Sequence, residues 1–295
     1  MMINFNIAFL RYDFTSKNIF TRQWKSLILL VTILLSTFNY VHAEDRVEDK
    51  FRIAIGGYIV PGYESAVSLT DPDLGVGVSI SPKDTLGLNT KQTVLRLDGQ
   101  YHFNEEHSLT FSLYEISSVG NKVLETEIDW VDKNGNPVTI PIGASVNTNL
   151  DYDIYKVGYL WSFYNTDKVK MVAGAGLHIT RIVMGLNSET TSSGVDATNA
   201  SISVPLPVLS FGLTYKVTPR FSWHIKSEFF SIAFDDFEGI YIDNTMGLEY
   251  RVFNNIDLGV ALANNSLKVS EKTSDYKFTF DNRISGVMIY VAASF

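Results

Sequence analysis

The chain has 295 residues, no cysteine and a formal net charge of −8. The absence of cysteine excludes disulfide bonds, thiolate metal sites and a cysteine nucleophile. The acidic balance argues against nucleic acid as a partner, because binding to phosphate requires a basic surface. The mean hydropathy of +0.06 is too low for a protein built from membrane-spanning helices.

Residues 1–43 have the features of a signal peptide. Lys25 precedes an apolar run at 27–35, and the small residue Ala43 stands just before two acidic residues. A basic flank, a short apolar run and a small residue at the break are typical of Sec-type signals, so we predict cleavage after Ala43. The run is too short to span a bilayer as a stable helix. An uncleaved anchor is the alternative, and both interpretations predict export of a domain at 44–295.

Segments of roughly ten residues in this domain alternate between apolar and polar side chains. A period of two is that of a β-strand whose two faces meet different environments. In the last segment, Val287, Ile289 and Val291 share one face with Phe295. We predict about ten strands, with roughly eight or twelve as alternatives. The predicted segments are 51–59, 94–103, 107–116, 155–163, 169–180, 209–216, 221–229, 240–251, 256–262 and 286–295.

The connections between these segments alternate in length. Short turns are predicted at 104–106, 165–167, 218–219 and 254–255. Longer connections are predicted at about 61–90, 117–147, 187–202 and 270–278, with a shorter link at 233–239. Short turns at one end and long loops at the other are typical of barrels in the bacterial outer membrane. A soluble β-sandwich also alternates, but its exposed face would be charged. We therefore predict an all-β fold, an antiparallel up-and-down transmembrane β-barrel in the cell outer membrane.

Aromatic residues cluster on the apolar face beside the short turns. An amphipathic ring is most stable at the depth of the lipid headgroups, so these residues indicate an interfacial girdle. The predicted aromatic girdle consists of Tyr101, Phe103, Tyr159, Trp161, Phe163, Tyr215, Phe221, Trp223, Tyr250 and Phe295.

The opposite face of the predicted strands is polar and should line the lumen. Its charges recur at every second residue, as in the pair Lys226 and Glu228. The lumen of a barrel of about ten strands is narrow, so we expect a cross-strand charge network that stabilises the interior. A charged constriction that selects small solutes is the alternative, and an insert around 81–90 that folds inward would narrow the passage further. The predicted network is Arg96, Asp98, His102, Lys156, His178, His224, Lys226, Glu228, Glu249 and Arg251.

Support for enzymatic chemistry is weak. Acyl transfer requires a nucleophile, a base and an orienting group in contact, and no Gly-x-Ser-x-Gly signature occurs. His102 and His107 flank a turn, but their spacing matches no familiar zinc pattern. We therefore assign no catalytic residue, metal or cofactor. We expect a non-enzymatic protein, either structural or a narrow passive pore for small solutes. A barrel hydrolase acting on lipid A or phospholipid is the alternative.

The closing strand that ends in Phe295 and the paired hairpins resemble those of bacterial outer-membrane β-barrel proteins of the small porin-like kind. The segment Asp-Thr-Leu-Gly-Leu at 84–88, followed by 96–104 and His107, resembles a motif in uncharacterised proteins of Gram-negative bacteria. The resemblance covers residues 50–295 and implies a fold and a location rather than an activity. It also implies partners, which are outer-membrane lipid, lipopolysaccharide and, through the closing strand, the barrel-assembly machinery.

Overall fold

The computed structural model describes residues 50–70, 77–131, 137–189, 195–234, 237–272 and 277–295. The predicted signal peptide, residues 1–43, lies outside these described residues. Within the described ranges, no helix has the length and apolar character needed to cross a membrane.

The described residues form strands, with one short helix near the first long connection. In chain order the elements are β1 (Phe51–Thr70), β2 (Gly77–Ile80), α1 (Pro82–Leu86), β3 (Gln92–His102), β4 (His107–Val123), β5 (Ile128–Val131), β6 (Pro137–Ile140), β7 (Ser145–Asn165), β8 (Val169–Glu189), β9 (Val195–Lys216), β10 (Phe221–Phe234), β11 (Phe237–Phe253), β12 (Ile256–Lys272) and β13 (Lys277–Ser294).

Ten of these strands form a closed antiparallel barrel, in the order β1, β3, β4 and β7 to β13. β13 pairs with β1 along their whole length, for example through Ile55 and Val291, and this pairing closes the sheet. Phe51 and Phe295 add two backbone hydrogen bonds of 2.8 and 2.9 Å at the same end as the short turns. The predicted all-β barrel of about ten strands is therefore confirmed.

The strands are much longer than predicted, because they continue into the segments expected as long loops. β7 and β8 each have 21 residues, whereas a membrane-spanning strand needs only about 9–11. The excess lies at the long-loop end, where outward positions become polar. There Glu115 pairs in register with Asp153, and Asp153 with Arg181. These residues mark the place where the wall leaves the apolar band.

The insert at 81–90 folds toward the lumen. Ser81 caps α1 by accepting a hydrogen bond from the backbone N–H of Asp84, and Gly87 ends the helix in the left-handed region at φ 68°. Leu88 then forms a bridge to Gly120 of β4. Leu86 is buried against apolar residues of the β5–β6 hairpin and of the inner wall, which are Leu124, Ile128, Ile140, Ala144, Val146 and Leu186. The insert and the hairpin together cover the long-loop end of the barrel.

Near the short turns, the wall is apolar outside and polar or small inside. On β12, Leu258 is 49% exposed and Val260 is 42% exposed, whereas Asp257 between the turn and Leu258 is only 6% exposed. Ala261 is likewise buried on the inner face. A soluble protein of this size would bury the leucine and expose the aspartate. The alternation along β12 therefore places the apolar face of the barrel where lipid contacts it.

Candidate functional site

The lumen contains three layers along the barrel axis, which we name from the short-turn end upward. The cavity layer is lined by Arg52, Asp98, Gln100, Lys170, His224 and Glu249. The ionic layer contains Arg96, Lys156, His178, Glu228, Tyr241 and Asp243. The apolar layer consists mainly of Tyr58, Val60, Tyr63, Ile116, Tyr152, Ile154, Leu206, Leu267 and Ile284.

The centre of the ionic layer is a buried lysine that contacts two carboxylates across the lumen. Lys156 of β7 donates to Oε2 of Glu228 on β10 at 3.1 Å and to Oδ2 of Asp243 on β11. All three side chains are less than a tenth exposed. Because β8 and β9 lie between β7 and β10 in the wall, these ion pairs connect separate parts of the barrel through its interior.

Glu228 also accepts from two other groups. Nε2 of His178 lies 3.1 Å from Oε2, and Nζ of Lys226 lies 2.8 Å from Oε1. The ring of His178 packs edge-on against Tyr241 with centroids 5.1 Å apart. Tyr241 in turn donates to Oδ2 of Asp243 at 3.2 Å. Both carboxylates of the ionic layer are therefore held by several donors, as a buried ion pair requires.

Two ion-pair groups of the inner wall are separate from the contacts of Lys156. Arg96 contacts Asp98 through Nε at 3.0 Å and covers the ring of Tyr114 at 5.0 Å. Nearer the short turns, Arg52 contacts Glu249 at 2.7 Å, and this carboxylate also accepts from the hydroxyl of Tyr290 at 2.7 Å.

The predicted network is thus divided rather than continuous. Lys156, His178, Lys226 and Glu228 lie together, and Arg96 pairs with Asp98. The remaining members of the predicted network are distributed as follows: Glu249 pairs with Arg52, Arg251 pairs with Asp257 at 3.0 Å, and His102 and His224 line the cavity.

The sequence-based network omitted Arg52, Asp243, Asp257 and Tyr290, although each takes part in these contacts. All four occupy inward positions of the alternating pattern. Alternation alone could have identified them as lumenal residues. It could not have shown which charges meet, because a pair such as Lys156 and Asp243 depends on the strand order and on the stagger of the barrel.

A cavity of about 390 Å³ occupies the lumen between the short-turn end and the ionic layer. Its lower wall includes Arg52 and Lys170, each the second residue of its strand, and its upper wall includes Lys156 and His178. The lower residues are partly exposed, whereas the upper ones are buried. The cavity is therefore open to solvent at the short-turn end, and the ionic layer bounds it at the other end.

Above the ionic layer, apolar side chains from most of the wall pack against one another. Tyr63 and Tyr152 meet edge to face with centroids 5.9 Å apart, and the hydroxyl of Tyr63 donates to Ser118 at 2.9 Å. Ile116 is fully buried. Residues of β1, β4, β7, β12 and β13 form one cluster, residues of β9, β11 and β12 form another, and Phe280 packs against both.

The residues of the predicted girdle lie on the outer wall around the short-turn end. Those that are well exposed are Tyr101, Phe103, Tyr159, Trp161, Phe163 and Tyr250, and those that are half-buried are Tyr215, Phe221, Trp223 and Phe295. Several are in contact with each other, such as Tyr101 with Phe103 at 5.2 Å and Tyr215 with Trp223 at 6.0 Å. The exposed Phe253 belongs to the same region but was absent from the predicted set.

No protein-family model matches the chain, and no curated protein matches it in sequence. Solved structures do match. The outer membrane protease OmpT from Escherichia coli aligns with a TM-score of 0.53 and 11% identity, over 86% of this chain and 99% of that one. The transport unit of the Escherichia coli autotransporter AIDA-I aligns at 0.36 and 10% identity, over 90% and 97%. The outer membrane protein OprG from Pseudomonas aeruginosa aligns at 0.31 and 12% identity, over 83% and 95%.

The location of the protein follows from this fold together with its inside-out wall. The barrel is closed, its outer wall is apolar with rings at one rim, and its charges face the lumen. The chain is an integral β-barrel protein of the bacterial outer membrane. In such barrels the short turns face the periplasm and the longer connections face the exterior. The cavity layer therefore opens toward the periplasm.

Proposed function

We propose that this barrel is a non-enzymatic, structural protein of the outer membrane whose lumen does not conduct solutes. The apolar layer supports this proposal most directly. Ile116, Tyr152 and Ile154 are at most 5% exposed, and they pack against side chains from other parts of the wall. A passive pore needs a continuous polar path for water and solutes. Closely packed apolar side chains interrupt such a path.

The ionic layer below supports the same conclusion. Lys156 is hydrogen-bonded to both Glu228 and Asp243, so its charge is neutralised inside the lumen. A constriction that selects ions would instead present charges to passing solutes. We infer that the ion pairs connect the strands of the wall, which is the stabilising role expected from the sequence, and that they do not form a selective constriction.

Planar-bilayer conductance tests the closed lumen. The purified barrel should give no discrete current steps, whereas the double variant Tyr63→Ala/Tyr152→Ala should give them, because it removes a ring pair from the apolar layer. The matched control is Tyr155→Ala/Tyr159→Ala, which removes two rings from the outer wall and should remain silent. An SDS gel with and without boiling verifies that each variant is a folded barrel. Discrete steps from the unaltered protein would contradict the proposal.

The hydrolase alternative has less structural support. OmpT is an outer membrane protease, but the shared fold does not by itself transfer an activity. Among the described residues, no hydrogen bond joins His178 or His224 to a serine or threonine hydroxyl, and Nε2 of His178 faces Glu228. An activated hydroxyl nucleophile requires such a contact.

Mass spectrometry of lipid A and phospholipid from cells that express the protein tests this alternative. We expect no loss of acyl chains, with or without the substitutions His178→Ala and His224→Ala. Loss of acyl chains with the unaltered protein, abolished by either substitution, would establish hydrolysis and replace the structural proposal.

We also propose that lipid and lipopolysaccharide surround the outer wall and that β13 is the strand recognised by the barrel-assembly machinery. The ring of Phe295 supports the second part, because it packs on Phe51 with centroids 5.5 Å apart where β13 meets β1. Phe295→Ala should lower the amount of heat-modifiable barrel in outer-membrane fractions and raise the unfolded periplasmic amount. Unchanged fractions would contradict recognition through this residue.

A further inference from the structure

The outer wall has a row of uncharged polar side chains across β10, β11, β12 and β13. The row consists of Ser227, Asn244, Asn264 and Ser285, which are successive partners in the strand register. Both asparagines are exposed. Outward residues of a membrane-spanning strand are normally apolar, so this row is an exception that needs a physical reason.

The row lies within the apolar surface on β11 and is absent at the same height elsewhere. Met246 and Ile242 are exposed apolar residues two positions to either side of Asn244. On the β7–β8 hairpin, the cross-strand pair at about the same distance from its short turn is Val157 and Leu177. Both of these outward residues are apolar and exposed. The polar row is therefore a local feature of the wall.

The two asparagines are only partly satisfied by their neighbours. Ser227 donates to Oδ1 of Asn244 at 2.8 Å, and Nδ2 of Asn264 donates to Ser285 at 2.7 Å. Within the described part of the chain, Nδ2 of Asn244 and Oδ1 of Asn264 have no hydrogen bond. A polar group without a partner is costly in hydrocarbon, where no water is available. The row therefore offers both a donor and an acceptor to whatever contacts it.

A shallow groove runs along the polar row. It has a volume of about 620 Å³ and extends from Ile225 on β10 to Pro61 on β1. Met246 and Leu262 border it on the side of the short turns, and their side chains are 53% and 62% exposed. The surface thus combines a hollow with protruding apolar side chains. Association of proteins within a membrane depends on close packing of such features.

The chemistry of this surface favours a second protein over a lipid headgroup. Among the described residues that line the groove, Lys226 is the only charged one, and its Nζ lies in the lumen 2.8 Å from Glu228. A phosphate group would need cations on the outer side. The ester groups of a phospholipid accept hydrogen bonds but donate none, so they would leave Oδ1 of Asn264 unpaired. A second copy of this chain supplies both a donor and an acceptor.

We propose that this surface joins two copies of the barrel side by side in the membrane. Both copies insert in the same direction, so a two-fold axis between them is parallel to the membrane normal. Asn244 and Asn264 are direct cross-strand partners and lie at nearly the same height. Rotation about an axis in front of this pair brings Nδ2 of Asn244 to Oδ1 of Asn264 of the partner subunit, and the reverse. The proposal concerns the outer wall and does not depend on whether the lumen conducts.

Cross-linking of single-cysteine variants in outer membranes tests the surface, because the chain has no cysteine of its own. With a membrane-permeant bis-maleimide, Leu262→Cys should give a covalent dimer on a gel of boiled samples. Leu177→Cys is the matched control, since Leu177 is an exposed outward leucine on β8, and it should stay monomeric. A maleimide dye verifies that both thiols react. Absence of the dimer with Leu262→Cys, or equal yields from both variants, would overturn the proposal.

Native mass spectrometry of the barrel in detergent micelles measures dimers and bound lipid together. The double variant Asn244→Leu/Asn264→Leu should lower the association constant about tenfold, because it removes the reciprocal hydrogen bonds. The matched control is Asn121→Leu/Asn147→Leu, which removes another hydrogen-bonded cross-strand pair of exposed asparagines and should leave the association constant unchanged. An SDS gel with and without boiling verifies that each variant is a folded barrel.

The same measurements separate the other possible occupants of the groove. A monomeric unaltered barrel that carries a lipid, which Asn244→Leu/Asn264→Leu releases, would show that lipid occupies the groove and would overturn the proposal. Dimers that this double variant leaves unchanged would place the contact on another surface and would also overturn it. Discrete conductance steps from an intact dimer would contradict only the closed lumen, so failures of the two proposals remain distinguishable.

Discussion

The two ends of the lumen share the same alternation of inward and outward side chains, but their inward residues differ in size and polarity. In the apolar layer, inward positions hold large residues such as Ile116 and Tyr152, which are almost fully buried. In the cavity layer, inward positions hold glycine at 158 and 212 and partly exposed charges such as Lys226. The ionic layer separates the two. A barrel can therefore be packed at one end of its lumen and keep a cavity at the other without any change in its strand order.

This difference follows from what surrounds each layer. The strands that enclose the apolar layer continue past the apolar band into the exterior, so their interior must be packed as in a soluble β-protein. The cavity layer is enclosed by the membrane-spanning part of the wall, where closure of the sheet already satisfies the backbone. There the interior can be left open.

The largest effect should come from the layer that separates the two ends. Lys156→Met leaves Glu228 and Asp243 buried without their shared cation. Breaking a buried ion pair typically costs 3–5 kcal/mol, so we expect the free energy of unfolding to fall by about 4 kcal/mol. The free energy of unfolding is measured by urea denaturation, with tryptophan fluorescence as the probe. Lys170→Met is the control, because this lysine lines the cavity without an ion pair among the described residues. Equal losses for both variants would show that the ionic layer does not connect the walls.

The packed end of the lumen should be sensitive to lost volume. Ile116→Ala removes three carbons from a fully buried site, and we expect a loss of about 3 kcal/mol in the free energy of unfolding. Val119→Ala, three residues along the same strand and facing outward, should change stability by less than about 0.5 kcal/mol. A similarly small effect at Ile116 would mean that the apolar layer is loosely packed and would contradict a closed lumen.

The contrast between the inner and outer walls should appear at β12. Val260→Arg places a charge on the lipid-facing side of the apolar band, and we expect a loss of about 2 kcal/mol in vesicles. Asn264→Arg lies on the same face of β12 nearer the exterior and should cost less, because the penalty falls toward the interface. The measurement is urea unfolding in lipid vesicles. A tolerated arginine at 260 would contradict contact with lipid there.

The smallest effect should come from an ion pair at the periplasmic rim. Arg251 contacts Asp257 at 3.0 Å, but its side chain is 46% exposed. Exposed ion pairs contribute little, so Arg251→Ala should reduce the free energy of unfolding by less than about 1 kcal/mol. Both variants remove the cation of an ion pair, so the difference between their losses of unfolding free energy shows the effect of burial. A loss at Arg251 as large as at Lys156 would show that burial does not distinguish them.

Alternation along the chain determined the barrel, its outer wall and its lumenal residues. Ile225, Leu258 and Ile289 were assigned outward and Asp98 and Glu228 inward from parity alone, because a strand places successive side chains on opposite faces. The outward parity also identified the rings beside the short turns. The location in the outer membrane followed from the same pattern.

The extent of the strands and the function of the lumen were decided by tertiary structure. Beyond the apolar band the alternation of side chains fades, so the sequence predicts loops there. In the structure, however, the backbone pairing continues, for example between Val146 and Ser188. Lys156 and Asp243 lie 87 residues apart and meet only because the barrel closes with a particular stagger. Which layer is packed and which is open depends on side chains from many strands at one height. Closure of the sheet brings these side chains to the same height, and no local segment of the sequence specifies this arrangement.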